Sequence, residues 1–445
     1  MKRPLRIKLI APASNLVAPG PRTVGLFPPL ALQAVAALVP PEHEVVIADE
    51  SIEPLDLSDE PDLVGITALT AAAPRAYAIA DAYRRRGIRV VLGGMHPSAL
   101  PEEALAHADA VVVGEAEGSW PQLLSDLSQG RLQRIYRRDR FAPLQGLPLP
   151  RRDLVQGRRY LVPATVQTSR GCPHHCAFCS VSRFFGRTYR TRPIPEVLKE
   201  IESLGTRTLV FVDDNLVGDP ARARRLFEAL VPYRLRWLGQ SSLDISRDPG
   251  LLRLAAKSGC VGLFIGFESL SRASLAQAGK AGLNRPAEFA EAIRRIHDQG
   301  IGIEGAFVFG FDHDGPDVFE RTVSFAQRLR LAAAQFGILT PFPGTALRRQ
   351  LEKAGRIVVR DWARYTISHA VFEPLNMTRE RLEEGFRWAY REFYSYRSIL
   401  GRLLPRLFNN FGVFLTLNLG FRRALQVFKA RTRAPYPAEA AGPTG

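Results

Sequence analysis

The sequence predicts an α/β protein built in three parts: a doubly wound, Rossmann-like parallel sheet, then a partial (β/α)6 TIM-like barrel, then a small helical C-terminal region. Three observations carry this. Short apolar runs alternate with helical patterns up to about residue 145; a second alternating series with six strand-like runs occupies about 160–345; and from about 350 the apolar spacing becomes helical. The expected divisions are 1–145, 146–350 and 351–445, with LQGLPLPRRD (144–153) as a Pro- and Leu-dense linker and PYPAEAAGPTG as a disordered tail.

In the first part RIKLIAP (6–12) reads as a strand and VGLFPPLALQAVAALVP as a helix, followed by the strands EVVIADE, DLVGITAL, RVVLGG and ADAVVVGEAE. PRAYAIADAYRRRG (74–87) is an amphipathic helix ended by Gly87. Strands joined through helices imply right-handed crossovers, and a ligand then sits beyond the carboxyl ends of the strands. Thr67, Leu69 and Thr70 stand at one such end, Gly93, Gly94 and His96 at the next, and Gly114, Glu115 and Glu117 at a third. Three patches rich in small residues at successive strand ends point to a large ligand lying against the backbone rather than to ordinary turn glycines.

The second part supplies strands in YLVPATVQTS, TLVFVDDN (208–215), WLGQSSLDIS (237–246), VGLFIGFES (261–269), IGIEGAFVFGF (301–311) and AAAQFGILTPFPGT (332–345). Helical stretches such as RARRLFEALVPY and AEFAEAIRRIHDQG separate them. Six such units make a partial barrel whose site is at the C-terminal strand ends. In the third part RERLEEGFRWAYREFYSYRSIL is amphipathic, and Arg397 to Arg433 holds eight basic residues and no acid among apolar residues. That segment suits an anionic membrane surface or, alternatively, a helical cap over the barrel mouth.

At 445 residues the chain exceeds one ordinary core, and four cysteines do not make a secreted disulfide framework. The sequence has no run of about 18 uninterrupted apolar residues, so a cytoplasmic, reducing location is expected. The net charge of +16 permits nucleic acid, anionic lipid or an acidic protein as partner without choosing among them.

Three of the four cysteines fall in TSRGCPHHCAFCSV (168–181), as CxxxCxxC just after the first strand of the second series. Three thiolates do not close a structural zinc site, which takes four ligands, and His174 and His175 lie in a three-residue loop with poor geometry for the same metal. A cubane iron–sulfur cluster usually takes four cysteines; with three, one iron stays open to bind something else.

CxxxCxxC with Phe178 before its last cysteine resembles the radical S-adenosylmethionine enzymes. VDDN (212–215), GFES (266–269), GAFVFG (305–310) and TPFPGT (340–345) fall where that family's strand-end motifs lie, and the first part resembles the cobalamin-binding module of its largest subgroup. The resemblance spans about residues 1–350, with weaker similarity in DWARY and SHAVFEP. It implies that Cys172, Cys176 and Cys179 hold a 4Fe-4S cluster whose open iron chelates S-adenosylmethionine, and that cleavage of the sulfonium gives a radical that takes a hydrogen atom from an unactivated carbon. It places Asp213 and Asp214 near the methionine amino group, Glu268 near the amino acid or ribose, and Gly305 and Gly310 beside the adenine. It places Thr67, Leu69, Thr70, Gly93, Gly94, His96, Gly114, Glu115 and Glu117 around cobalamin.

One departure is informative. The early loop APASNLVAPGPRTVG lacks the DxHxxG of cobalamin mutases, so cobalt is expected without a protein histidine, and His96 is read as a turn residue beside the corrin. Cys260 alone remains beyond the motif, which excludes a second cluster within one chain. The expected activity is C-methylation of a small molecule, with a lipid or isoprenoid as one option. Reduced ferredoxin or flavodoxin supplies electrons, and no nucleic acid is expected. The alternatives are a cobalamin-dependent cyclisation, oxidation or rearrangement without methyl transfer, and a basic RNA- or membrane-binding protein with vestigial catalytic domains.

Overall fold

A computed structural model describes residues 3–14, 25–404 and 410–431, with side chains up to 423. Most of the early loop 11–25, parts of the basic segment and the C-terminal tail therefore lie outside the described residues. Two six-stranded parallel sheets organise the chain.

The first sheet is ordered β2-β1-β3-β4-β5-β6, formed by β1 (Arg6–Ala11), β2 (Glu44–Asp49), β3 (Leu63–Thr67), β4 (Arg89–Gly93), β5 (Ala110–Val113) and β6 (Ile135–Arg137). Chain order reverses between β1 and β3, the switch point at which such sheets bind ligands. Strands buried on both faces are continuous apolar runs, as in LVGIT and AVVV, which is why the sequence betrays them. The short β6, flanked by arginines, gave no such signal.

After the linker come β7 (Thr165–Val166) and two short strands, β8 (Ser169–Arg170) and β9 (Arg190–Thr191), which pair antiparallel with each other. Then follow β10 (Thr208–Phe211), β11 (Arg236–Ser241), β12 (Cys260–Glu268), β13 (Gly302–Phe309) and β14 (Ala333–Ile338), giving the sheet order β14-β13-β12-β11-β10-β7. Alternation along β13 turns Phe307 and Phe309 outward onto Phe325 and Phe319 of the helix Val318–Arg328. It turns Glu304, Ala306 and Val308 inward.

A six-stranded partial barrel leaves an edge at β14, and the C-terminal helices cover it with side chains. Arg402 donates to Leu331 O (2.7 Å) and Asn418 to Ala332 O (2.8 Å). The Tyr394 hydroxyl accepts from Ala334 N and donates to Ala334 O, and Tyr390 does the same at Phe336. Ile338 N then donates to Ile367 O. Each strand group on this edge so paired escapes the cost of burial without a partner. The sequence pattern 379–400 is not one helix but two, Arg379–Phe393 and Tyr396–Leu403, because the Ser395 side chain caps the second.

Of the basic, apolar segment, residues Phe411–Arg431 form a helix, and its Phe414 lies under the barrel rather than over its mouth. Gly262 and Gly302 are register partners on β12 and β13, and together they make a notch that takes the Phe414 ring. A Cβ on Gly302 would lie 2.2 Å from that ring. One layer above, Glu304 faces inward opposite Phe264, and burial pushes its carboxyl up to about 7.

Two outcomes follow for stability. Gly302→Ala should destabilise by about 1–3 kcal/mol from overpacking, and Phe414→Leu should recover part of that loss in urea melts; simple additivity of the two would disprove the notch. Glu304 titrates higher in the folded chain than unfolded, so the stability it leaves intact below its unfolded value is lost as pH rises through about 7. Glu304→Gln should therefore raise the melting temperature at pH 8 and gain little at pH 5; an equal gain at both would contradict this.

Candidate active site

A cavity of about 360 Å³ opens at the C-terminal strand ends of the second sheet, and Cys172, Cys176 and Cys179 line one wall. They sit in the excursion between β8 and β9. Gly171, at φ +86, is required there: a Cβ would lie 2.1 Å from Thr188 O across the neck. The loop is pinned where Ala177 N donates to Ala278 O and Leu347 N to Ala177 O.

Burial raises all three thiols, Cys176 to about 12, while the Lys280 ammonium pulls the Cys172 and Cys176 thiols back down. Among the described residues no three His, Cys, Asp or Glu side chains converge on a single-ion position. The donor set therefore fits a multi-iron cluster with one thiolate per iron better than one shared zinc.

Glu268 lines the same cavity, close enough to Cys176 to act on its thiol. A register shift in β12 between Gly266 and Glu268 and a left-handed φ of +65 turn its side chain inward, a strain usually kept for function. Its Oε1 accepts from Lys280 Nζ at 2.6 Å. Burial alone would lower the lysine, but Glu268, with Cys176 and Cys179, more than offsets it and holds it above its ordinary value. Asp214 also lines the cavity; its carboxyl accepts from Gly171 N (3.1 Å), and burial, then the neighbouring Asp213, push it up to about 6. Asn215 and Lys280, both on the wall, were not picked out from the sequence. Nothing in QAGKAGL distinguishes Lys280, whereas Asn215 sits in the quoted VDDN and shares a strand end with Asp214.

Three residues read as nucleotide contacts lie elsewhere. Asp213 is 1% exposed and points away from the cavity, accepting from Thr168 N, Thr168 Oγ1 and Ser169 Oγ, with Arg222 against Thr168. It shares strand parity with Phe211, so it faces the helices. Gly305 shares parity with Phe307, and a Cβ there would meet Leu331. Gly310 makes room for Leu382 of the helix Arg379–Phe393. Both glycines serve the chain's own packing.

At the strand ends of the first sheet, Leu69 is 64% exposed, an apolar side chain with no protein cover. Thr67 is half-buried against Gly94, Thr70 is buried, and Gly114 (φ +82) has open space where a Cβ would stand. Gly93 meets only ordinary contacts there. This shelf fits a broad, flat ligand. The helix Met95–Ala99 beyond β4 touches Val181–Phe184, the helix just after Cys179, so the shelf faces the cysteine loop.

The other polar residues at these ends are otherwise engaged. His96 is 1% exposed, with Nε2 shared between Tyr77 and Glu103 and its ring against Trp362 of DWARY. Glu115 and Glu117 bind arginines of the second part rather than lying free for a ligand: Arg170 bridges both, and Arg190 reaches Glu115.

Comparison with known proteins agrees with this layout. A model described as B12 binding domain matches residues 22–124, and one described as Radical SAM superfamily matches residues 166–326. The chain is 32% identical to a bacteriochlorophyllide d C-12(1)-methyltransferase of Chlorobaculum tepidum, over 86% of each protein. It is 31% identical to the C-8(2)-methyltransferase of the same organism, over 89% of this chain and 91% of that one. A hopanoid C-2 methylase of Rhodopseudomonas palustris is 26% identical over 75% of this chain and 66% of its own length. In fold, the chain matches a radical S-adenosylmethionine methyltransferase of Kitasatospora setae, solved with cobalamin and a 4Fe-4S cluster, at TM-score 0.63 and 21% identity over 88% of this chain and 85% of that one. A strand-end shelf facing a three-cysteine loop, and two methyltransferase relatives matched over 86% and 91% of their own length, lead to one conclusion: the chain belongs to the B12-binding radical S-adenosylmethionine methyltransferases, enzymes of C-methylation that use cobalamin, a 4Fe-4S cluster and S-adenosylmethionine.

Proposed function

We propose that this enzyme methylates an unactivated carbon on a large, mostly apolar ring system. The observation that carries the reading is the cavity itself: the cysteines and the Glu268–Lys280 pair share its lining with Phe264, Val308, Leu339 and Phe342. The relatives named for bacteriochlorophyllide and hopanoid substrates support a ligand of that size and polarity.

In this reading Cys172, Cys176 and Cys179 hold the cluster, and Lys280, Glu268, Asp214 and Asn215 fix the charged end of S-adenosylmethionine. The shelf at Thr67, Leu69, Gly93, Gly94 and Gly114 holds cobalamin. When bound, these groups supply hydrogen-atom abstraction and a transferable methyl group. The chain's own work is to orient them and to keep water from the reacting carbon, which the apolar wall does. The division at 145/146 separates the two cofactor sites from each other, and that at 350/351 sets off the helical cover.

The cluster's electron comes from a small acidic carrier, ferredoxin or flavodoxin, in a reducing compartment. The net charge of +16 supports this, as do the exposed Arg183 and Arg187 that follow Cys179 in the cysteine loop. A second reading concerns the region after residue 396: Leu400, Leu404 and Leu419 are exposed near basic side chains and suit peripheral contact with an anionic membrane. Among the described residues no helix is long and apolar enough to cross one.

Anaerobically reconstituted protein, given reduced flavodoxin, S-adenosylmethionine and bacteriochlorophyllide d, should release 5′-deoxyadenosine and add one methylene to the pigment mass. Pigment consumed without mass gain would favour cyclisation or oxidation instead. Turnover with dithionite but none with flavodoxin would reject that donor. Cys176→Ala should bring 5′-deoxyadenosine release down to background; release at the wild-type rate would remove the cluster assignment. On vesicles of anionic lipid, the full chain should float more than a chain ended at residue 396, and equal flotation would remove the membrane contact.

A further inference from the structure

Residues 171–189 carry all three cluster-loop cysteines, and their neck is the two-residue ladder of β8 and β9, in which Arg170 and Arg190 are register partners. Both guanidinium groups donate to the same oxygen, Glu115 Oε1, at 2.7 Å and 2.9 Å. Arg170 also donates to Glu117 at 2.5 Å and to the Gln167 side-chain oxygen. Arg190 lies over the Phe141 ring and donates to Ala142 O. The four charges cancel and are largely out of water: Arg170, Arg190, Glu115 and Glu117 side chains are 12%, 19%, 5% and 11% exposed.

A two-residue antiparallel ladder does not hold itself shut. This one also places two like charges side by side, which repel strongly where water is scarce. The carboxylates that reverse that repulsion come from the other sheet, on the loop 114–118 that leaves β5 beside the cobalamin shelf.

We propose that Glu115 and Glu117 are positioning residues that hold the neck of the cysteine loop closed from the cobalamin-binding part, so that the geometry of the cluster site depends on the docking of loop 114–118. The two cofactor sites then share one mechanical link, and their separation is set by it. The proposal rests on the reading that Cys172, Cys176 and Cys179 hold the cluster, but the link itself is testable without iron.

The test compares the full-length protein with Glu115→Gln/Glu117→Gln and with Glu117→Gln alone. Hydrogen exchange of residues 171–189 is read first in iron-free protein. The double variant should exchange about tenfold faster there, with the strands β10 to β14 unchanged, because an uncompensated buried charge opens its surroundings locally. The single variant should lie between. After reconstitution with iron, sulfide and cobalamin, iron and cobalamin contents should match wild type, while the dipolar distance distribution between cob(II)alamin and the reduced cluster broadens. Wild-type exchange of 171–189 in the double variant, or in the single variant should the double not fold, overturns the proposal. Wild-type protein that takes up no iron would instead sink the cluster assignment and leave the exchange result standing.

Discussion

Six parallel strands do not close a barrel, and most of the architecture answers that fact. An unfinished barrel has two bare edges and two open ends, and backbone groups on a bare edge must find partners or water. At β14 the partners are Tyr390, Tyr394, Arg402 and Asn418, reaching in from the C-terminal helices. At β7 Arg152, from the segment before the barrel, donates to Thr165 O. The lower end is stopped by Phe414. The remaining opening, at the carboxyl ends of the strands, is the one that the three cysteines line. The helical extension is thus part of the barrel's wall and floor rather than an appendage.

The same economy shapes the site. The adjacent aspartates of VDDN divide their work by strand parity. Asp213 faces back and ties Thr168 and Ser169 to β10; Asp214 faces forward and holds Gly171, the residue that enters the cysteine loop. The loop is then gripped by Ala278 and Leu347 at its middle and by carboxylates of the first sheet at its neck. Few of these restraints come from the loop itself.

Much of this was legible in the sequence, for local reasons. Buried parallel strands are apolar runs between turns, so five strands of the first sheet and all six of the second stood out. The cysteine spacing is a local signal too. What failed was orientation at strand ends. Asp213 and Gly305 were read into the cavity, although each shares parity with an outward phenylalanine, Phe211 and Phe307. Other misses had no local signal. The arginines that claim Glu115 and Glu117 are more than fifty residues away in sequence, and the three-residue β6 is too short and too polar to announce itself. His96 looked like a turn residue because its partner Trp362 lies in the C-terminal part.

The glycine pair beneath the barrel has a consequence for how such a frame can change. Gly262 and Gly302 face each other only while β12 and β13 keep their register. One residue gained or lost in the turns leading into either strand would bring a side chain into the socket and expel the ring beneath it. Connections at that pole are therefore locked in length. The connections at the opposite pole carry no such lock, so insertions there can reshape what the chamber admits while the machinery below stays fixed.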